Sequence, residues 1–378
     1  MAGLYIHIPF CRQACSYCNF HFSTRLQYQR EMIPLIAREL VLQKDYLQGA
    51  TLQTIYLGGG TPSLLSAEEL RLLFDTIIRH YPVASDAEIT LEANPDDLDA
   101  AGIRKLRTVP INRLSIGTQS FREEDLRWMN RVHTAAQAIG SVKRAQDAGL
   151  ENLSIDLIYG IPNCSDADWK RNVQQAAALR IQHLSCYALT VEPRTKLAFD
   201  IAQRSVQAPE EERAAAQLEL LMDLAPSLGY RQYEISNFAQ EGFHSRHNSA
   251  YWSGEHYLGA GPGAHSFNGE SRQWNLPNNQ EYMQEMRADH LLMQQEVLTP
   301  VQRFNEYMMT SLRTARGADL AFMESSFGPA LFAVFQLQLE KTFHSQWMER
   351  QEGRLRLTPA GRLIADKIIL DLFLPEQQ

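Results

Sequence analysis

The sequence predicts an α/β fold, a partial or complete parallel β/α barrel, followed by a small, mainly helical C-terminal domain with a winged-helix-like pattern. The main observation is that short apolar runs rich in β-branched residues alternate about six times with segments of helical periodicity. This alternation indicates parallel strands joined by right-handed crossovers. An open doubly wound sheet has the same alternation, but polar residues after five successive strands favour the barrel.

The predicted strands lie in the first half of the chain, at residues 4–8, 54–57, 88–91, 113–116, 153–157 and 183–189. Between them, the segments AEELRLLFDTIIRHY (67–81) and HTAAQAIGSVKRAQDAG (133–149) have helical periodicity. The second segment has a helix-start signal at Thr134 and a stop signal at Gly149. A further helix is expected at about 209–228.

Changes in sequence texture divide the chain into three parts. Residues 1–235 are predicted to form the barrel, and residues 236–295 a loop-rich extension rich in Gly, Asn and His. Residues 296–378 return to helical periodicity and end in a short predicted hairpin and a closing helix. Winged helices often dock proteins, so this last domain does not by itself indicate nucleic-acid binding.

Composition and charge exclude several classes of function. The 378 residues include 36 basic and 44 acidic side chains, for a net charge of −8, and no basic cluster suited to nucleic acid. No window offers about 18 uninterrupted apolar residues, so no membrane span is expected. The N-terminus reaches a proline and a polar cluster too early for a signal peptide. The predicted location is therefore the cytoplasm.

Three of the five cysteines, Cys11, Cys15 and Cys18, lie close together directly after the first predicted strand. In a reducing compartment, such a cluster indicates a metal or redox site before a disulfide. Structural zinc usually takes four ligands from two separated pairs, and no fourth ligand is adjacent here. Three thiolates on a 4Fe–4S cluster leave one iron open for another ligand, so this site is favoured, with zinc as the alternative.

The segment IHIPFCRQACSYCNF, with its CxxxCxxC spacing, resembles the opening of a radical S-adenosylmethionine (SAM) protein. This resemblance implies that the aminocarboxylate of SAM binds the open iron of the cluster. It also supports the barrel as the fold.

Polar or glycine residues follow the other strands, and each has an ordinary structural role as an alternative. Gly58, Gly59 and Gly60 allow close backbone approach to a ligand, but they also suit a tight βα turn. Glu92 and Asp156 suit hydrogen bonds to a ligand, or caps of the next turn. By position, these elements resemble the cofactor shell of the oxygen-independent coproporphyrinogen III oxidase group. That resemblance implies SAM contacts from Tyr5, Tyr17, Gly59, Gly60, Thr61, Glu92, Gln119, Arg131 and Asp156.

Two features separate this chain from the true oxidases of that group. The oxidases have a fourth cysteine two residues after the third, whereas this chain has Phe20, and they have a longer N-terminal extension. The segments YEISNFA, HNSAYW (247–252) and GAGPGAHSF resemble the second branch, the radical-SAM heme chaperones. This resemblance implies binding of heme and its transfer to an acceptor protein. The alternative is an oxygen-independent coproporphyrinogen III dehydrogenase or another radical-SAM enzyme.

His247 is the candidate heme ligand, because a neutral imidazole commonly binds heme iron and Tyr251 and Trp252 stand nearby to cover a porphyrin. His244, His256 and His265 are rival candidates. No flavin or nicotinamide fingerprint is present, so the electron donor is expected to be a separate protein of flavodoxin-like type.

Overall fold

A computed structural model describes residues 2–376. Its first half alternates strands and helices as the sequence predicts: β1 (Ala2–Ile8), α1 (Gln29–Leu42), β2 (Leu52–Gly59), α2 (Ala67–His80), β3 (Val83–Ala93), α3 (Ala100–Leu106), β4 (Arg113–Gln119), α4 (Glu123–Trp128), α5 (Ala135–Asp147), β5 (Leu153–Tyr159), α6 (Asp166–Ala178) and β6 (His183–Ala188).

The second half continues with shorter elements: α7 (Lys196–Ala202), α8 (Glu211–Leu224), β7 (Arg231–Gln232), β8 (Asn237–Ala239), α9 (Arg246–Trp252), β9 (His256–Ala260), β10 (His265–Phe267), β11 (Ser271–Asn275), α10 (Asn279–Arg287), β12 (Met293–Val297), α11 (Pro300–Leu312), β13 (Ala318–Asp319), α12 (Leu320–Phe327), α13 (Pro329–Thr342), β14 (Met348–Gln351), β15 (Arg354–Leu357), α14 (Pro359–Arg362) and α15 (Ala365–Asp371).

One sheet organises the larger part of the chain. Strands β1 to β6 are parallel neighbours in sequence order, and the sheet runs β12-β11-β10-β9-β1-β2-β3-β4-β5-β6-β8-β7. Strand β1 is buried along almost its whole length, as expected for a parallel strand covered on both faces. Because β12 and β7 are its edges, the sheet is an open, partial barrel rather than a closed one.

The helix starts follow the local signals in the sequence. Helix α2 begins after Ser66, which forms a capping box with Glu69, and α5 begins after Thr134, which forms one with Gln137. Reciprocal caps of this kind satisfy backbone N–H groups that have no partner inside the helix. The predicted helix boundaries at these two positions are therefore set by side-chain chemistry.

The segment predicted as loop-rich contributes strands β8 to β12 and two helices. Strand β9 pairs in parallel with β1, so β9 to β12 widen the sheet on the side opposite β6, whereas β8 pairs antiparallel with β6. A buried carboxylate fastens it to the barrel: Glu39 of α1 accepts hydrogen bonds from Gln43 Nε2, Gly261 N, Asn275 Nδ2 and Tyr282 Oη.

A second apolar core lies near the C-terminus. The first core takes in residues from Ala2 to Met286, and the second takes in residues from Phe304 to Leu374. Helices α11 to α15 and the small antiparallel sheet β13-β15-β14 surround this second core. The domain boundaries at 235 and 295 stay predictions. None of the helices between residues 2 and 376 combines the length and apolar character needed to cross a bilayer.

Candidate functional site

A cavity of about 540 Å³, here called the cysteine cavity, opens at the carboxyl ends of β1 to β6. The ends of parallel strands are the usual position of ligand sites in such folds. Cys11, Cys15 and Cys18 line this cavity together with eight of the nine residues for which SAM contacts are predicted, namely Tyr17, Gly59, Gly60, Thr61, Glu92, Gln119, Arg131 and Asp156. The ninth residue, Tyr5, lines a different cavity.

Backbone bonds hold the cysteine loop against the end of β1. The amide of Cys11 donates to the carbonyl of Ser23 at 3.1 Å, and the amide of Ser23 donates to the carbonyl of Pro9 at 2.9 Å. The Asn130 side chain donates to the Ala14 carbonyl at 2.8 Å. These contacts fix the loop at its base and from the α4 side, so the positions of the thiols are set by the fold.

The three thiols lie close to polar and charged side chains, but their burial disfavours the thiolate form unless a positive group is bound. Thr61 Oγ1 donates to Cys11 Sγ at 3.4 Å, and Arg131 Nη1 donates to Cys15 Sγ at 3.2 Å. Burial, together with the neighbouring thiols, raises the pKa of Cys11 to about 11, against the opposing effects of Thr61 and Arg131. Burial also raises the pKa of Cys18. Three thiolates here therefore require a cationic partner such as iron.

Arg131 is a partly buried cation whose hydrogen-bond donors are only partly used. Besides Cys15, it donates from Nη2 to Asn94 Oδ1 and to the Gly117 carbonyl, both at 2.7 Å. Its Nε–H is buried without an acceptor, and within residues 2–376 no carboxylate forms an ion pair with it. Burial opposes its charge, but Tyr17 and Cys15 outweigh this effect and raise the pKa of Arg131. An anionic ligand group would satisfy the free donors.

Two acidic side chains face the same cavity without a cationic partner. Glu92 accepts hydrogen bonds from Tyr56 Oη at 2.8 Å and from Gly59 N at 3.0 Å. Asp156 accepts one from Ser115 Oγ at 3.3 Å. Burial raises the pKa of Glu92 to about 7 and that of Asp156 to about 6. A ligand that brings positive charge and hydroxyl groups would favour their ionised forms.

The glycines at the end of β2 are needed for packing against β1. A Cβ on Gly60 would lie 2.5 Å from the Phe10 carbonyl oxygen, and one on Gly59 would lie 2.5 Å from the His7 ring. Gly59 also has φ +104°, which side chains rarely adopt. The glycine run therefore brings β2 close to β1, which is the ordinary structural role that the sequence allowed, and it does so at the edge of the cysteine cavity.

Two polar residues of this cavity that the sequence did not single out are Asn94 and His133. Asn94 bridges Arg131 and Thr61, donating to Thr61 Oγ1 at 3.3 Å. His133 lines the cavity with its Nδ1 buried and without a partner, and burial lowers its pKa to about 4. Asn94 follows Glu92 by two residues, so the strand-end rule could have found it. His133 comes from a loop far from any strand end, and nothing in its sequence context distinguishes it.

His247 lies away from the cysteine cavity, at the start of α9, and is 1% exposed. Its Nδ1 is hydrogen-bonded to Thr54 Oγ1 at 2.8 Å and its Nε2 to Tyr251 Oη at 2.9 Å. Its ring stacks on Tyr56 with centroids 4.9 Å apart. Both ring nitrogens thus have partners in this conformation. Within residues 2–376 no three His, Cys, Asp or Glu side chains lie close enough to hold a single metal ion.

A cysteine triplet at the end of the first strand of a partial β/α barrel, facing buried charges of both signs, defines a radical-SAM type of protein. In agreement, residues 5–176 match the model of the Radical SAM superfamily, and residues 298–364 match that of the HemN C-terminal domain. The chain also superimposes on coproporphyrinogen III oxidase (HemN) from Escherichia coli, a radical SAM enzyme, with a TM-score of 0.85. That match covers 98% of this chain and 90% of HemN at 23% identity, and it confirms the predicted fold.

Sequence comparison gives the particular family. The chain is 33% identical to the heme chaperone HemW of Bacillus subtilis over 97% of its own length and 98% of that protein. It is 34% identical to HemW of Mycobacterium tuberculosis over 98% and 94% of the two chains, and 38% identical to HemW of Escherichia coli over 70% and 69%. The chain belongs to the HemW family. Membership in the Radical SAM superfamily implies a 4Fe–4S cluster and SAM as cofactors, and the thiols and charges of the cysteine cavity fit both.

Proposed function

We propose that this protein is a heme chaperone, which binds heme and passes it to acceptor proteins, while its barrel holds the cluster and SAM. The observation that carries this proposal is the end-to-end similarity to proteins named heme chaperones, through the barrel and the C-terminal domain alike. Phe20, at the position where the oxidases are expected to have a fourth cysteine, supports the same branch.

Cys11, Cys15 and Cys18 are the proposed cluster ligands, because all three face one cavity and follow the family spacing. When bound, the reduced cluster supplies an electron that can cleave a C–S bond of SAM. The residues of this chain hold the group in place: the loop bonds to Ser23 and Asn130 fix the thiols.

The proposed SAM contacts follow from charge complementarity in the cysteine cavity. Arg131, with free N–H donors, would bind the carboxylate of SAM, and Glu92 and Asp156 would bind its ammonium and ribose hydroxyl groups. Tyr17, Gly59, Gly60, Thr61 and Gln119 line the same cavity and complete the proposed set. Tyr5 stays a prediction, and it would have to act from the wall of the neighbouring cavity.

His247 stays a prediction as the heme ligand, and the geometry adds a condition to it. Its Nε2 can bind iron only if the Tyr251 hydroxyl moves away, and its Nδ1 only if Thr54 does. The electron donor, proposed as a separate flavodoxin-like protein, and the acceptor of the heme are partners that this chain's residues do not name. We propose the reducing cytoplasm as the location, because three free thiols are needed to hold the cluster.

The test is an anaerobic titration of the cluster-loaded protein with hemin, followed by addition of an apo heme protein. We expect a Soret band to form on the chaperone and then to pass to the acceptor. Variants Cys11→Ser, Cys15→Ser and Cys18→Ser should each lose the broad cluster absorbance near ~400 nm. Cys164→Ser is the matched control, since Cys164 is buried elsewhere and should leave that absorbance intact.

The enzyme alternative makes a different prediction in a parallel assay. Incubation with coproporphyrinogen, SAM and a reductant should give no sustained formation of protoporphyrinogen. Multiple turnovers in that assay would replace the chaperone by a coproporphyrinogen III dehydrogenase. Absence of any Soret band on hemin addition would also refute the proposed function.

A further inference from the structure

A second, larger cavity of about 920 Å³, here called the aromatic cavity, lies between the β9–β11 side of the sheet and helices α11 and α12. Ligand sites typically enclose about 300–1,000 Å³, so its volume is at the upper end of that range. Aromatic rings line it from both sides, including Trp252, Phe267, Trp274, Tyr307, Phe322 and Phe327. Phe322 is 46% exposed, which is a large apolar surface to leave in water. The cavity suits a flat, apolar ligand of substantial size.

Three histidines line the aromatic cavity, and they differ in how their ring nitrogens are used. His7 is bonded through Nδ1 to Tyr5 Oη at 3.1 Å and through Nε2 to the His21 carbonyl at 2.8 Å. His21 is bonded through Nε2 to Asn279 Oδ1 at 2.6 Å. His265 is exposed, and its ring nitrogens form no hydrogen bond within residues 2–376. His265 is therefore the imidazole with both nitrogens open to a new partner.

The surroundings of His265 suit metal binding by a neutral ring. Its ring lies parallel to the Trp274 indole, at 6.0 Å between centroids and 19° between planes. Although the residue is exposed overall, its ring is partly desolvated at the cavity wall, and this desolvation and the nearby Arg272 lower the pKa of His265, which favours the uncharged imidazole that binds metals. Titratable and charged groups from neighbouring elements also face the cavity: His7, His21, Tyr251, Arg272, Arg303 and Glu306.

Polar groups at the wall of the cavity offer partners for carboxylates. Arg303 is exposed on α11, lines the cavity, and forms no ion pair with any described residue. Arg272, by contrast, is already neutralised by Glu306 through bonds of 2.6 and 2.8 Å. The indole N–H of Trp252 is buried without an acceptor. A porphyrin needs apolar walls, an iron ligand and a partner for its propionates, and this cavity supplies all three.

The HNxxYW segment (247–252) contributes two wall residues to the aromatic cavity, and its histidine lies behind them. Because His247 and Tyr251 are four residues apart on α9, they share one helix face, and the imidazole is bonded to the Tyr251 hydroxyl. Tyr251 and Trp252 line the aromatic cavity, whereas His247 does not. His247 thus holds a wall residue in position.

We propose that heme binds in the aromatic cavity, with His265 as its axial ligand, Arg303 as a partner of a propionate, and His247 as a positioning residue behind Tyr251. This inference rests on the proposed function and adds the site and the ligand. It also places heme next to the cluster, because Phe20 lines both the aromatic and the cysteine cavities.

The experiment compares anaerobic hemin titrations of the cluster-loaded full chain and three alanine variants, His265→Ala, His247→Ala and His80→Ala. His80, at the end of α2, lines neither cavity and is the control. His265→Ala should shift the Soret band and weaken hemin binding at least about tenfold, since losing even an outer-shell partner of a metal site costs about that much. His247→Ala should change affinity less and keep the axial-ligand signature. His80→Ala should match the wild type.

Two further variants test chemistry that a merely structural role would not show. Added imidazole should restore the wild-type Soret band to His265→Gly, because free imidazole can occupy the space of the missing ring. Arg303→Glu should weaken binding of hemin about tenfold but not that of its dimethyl ester, which lacks the propionate charges. Retained SAM binding and cluster absorbance will show that each variant is folded.

The outcomes separate the two proposals. If the wild type gives no Soret band with hemin, the proposed function fails. If the wild type binds hemin, His265→Ala is unchanged and His247→Ala loses the axial-ligand signature, the function stands and the site proposed here is wrong. If both variants retain the wild-type spectrum, the site proposed here is also wrong.

Discussion

Substitution of Arg131 by lysine tests most directly whether the Arg131 guanidinium binds the carboxylate of SAM in the cysteine cavity. Lysine keeps the positive charge but replaces a planar fork of five N–H donors by three on a flexible stem. In this structure three donor contacts go to Cys15, Asn94 and the Gly117 carbonyl, which leaves the Nε–H and one Nη1–H free for a ligand carboxylate. A lysine at this position can satisfy part of these contacts and cannot also bind SAM in the same way.

The expected loss follows from the number of bonds. A hydrogen bond to a charged group contributes about 1.5–3 kcal/mol, and about 1.4 kcal/mol corresponds to a tenfold change in affinity. Removing one such bond to the carboxylate should therefore weaken SAM binding about 10- to 100-fold. The cluster should remain, because Arg131 donates to Cys15 but is not itself an iron ligand.

The assay is equilibrium dialysis or calorimetric titration of SAM against anaerobically reconstituted protein, with cluster absorbance as the internal check. Arg127→Lys is the matched control: its side chain is 74% exposed on α4 and faces no ligand cavity. If Arg131→Lys binds SAM within about twofold of wild type, the carboxylate is held elsewhere, and the assignment drawn from the free donors is wrong.

Three further predictions concern protons, backbone and core. Because burial raises the pKa of Glu92 to about 7 and of Asp156 to about 6, both gain protons as the pH falls. The affinity for cationic SAM should then drop about tenfold from pH 8 to pH 6. Glu92→Gln should reduce this dependence of affinity on pH, and a wild-type affinity that does not change with pH would contradict the prediction. Gly60→Ala places a Cβ 2.5 Å from the Phe10 carbonyl oxygen and should therefore reduce both cluster absorbance and SAM binding. Loss of SAM binding alone would instead show that the glycine contacts the ligand. Glu39→Ala leaves buried donors unpaired and should lower the free energy of urea unfolding by about 3 kcal/mol. The control Glu31→Ala removes a surface ion pair and should lower it by less than about 1 kcal/mol. Equal losses would show that the Glu39 network adds nothing.

The barrel could be predicted from the sequence because each of its strands is a short apolar run that can be recognised locally. Runs such as 54–57 and 153–157 fall inside observed strands, since parallel strands buried on both faces must be apolar and are short. The convergence of the strands then follows from topology alone, and it brings Glu92 and Asp156 into one cavity, which Arg131 reaches from the loop after α4. These residues are separated widely in sequence, yet the repeated βα pattern was sufficient to bring them together.

The extension at 236–295 was harder to predict for a physical reason. Its strands are three to five residues long, and β9, the strand that joins β10 to β12 to the sheet, pairs with β1 at the far end of the sequence. Short strands of this kind have no strong periodic pattern, because their burial is decided by a partner that the local sequence does not specify. Gly and Asn residues in the same stretch indicated loops; Gly263 and Gly269 do lie in a turn and a bend, but Gly259 and Asn275 lie inside strands.

The contacts of His247 in the HNxxYW segment could not be predicted from its neighbours in the sequence. Sequence proximity places His247 beside two aromatic residues, but proximity does not show whether its ring nitrogens face a ligand or the protein. On a helix, the spacing to Tyr251 brings the two side chains together, and the hydroxyl then occupies Nε2. His265, one of the rival candidates, lies in a three-residue strand within the segment GAGPGAHSF, and its ring nitrogens have no hydrogen bond among the described residues.

The two cavities share a border, and the residue at that border is the one that separates the chaperones from the oxidases in the sequence pattern. Phe20 is 68% exposed and lines both spaces. A cysteine there would add a fourth thiol beside the cluster site, whereas phenylalanine adds apolar surface to the wall of the aromatic cavity. One position thus changes the chemistry of the cysteine cavity and the binding surface of the aromatic cavity together. With heme in the aromatic cavity, as proposed, this coupling gives a physical reason why a chain with the oxidase fold holds porphyrin as cargo beside a radical-SAM centre.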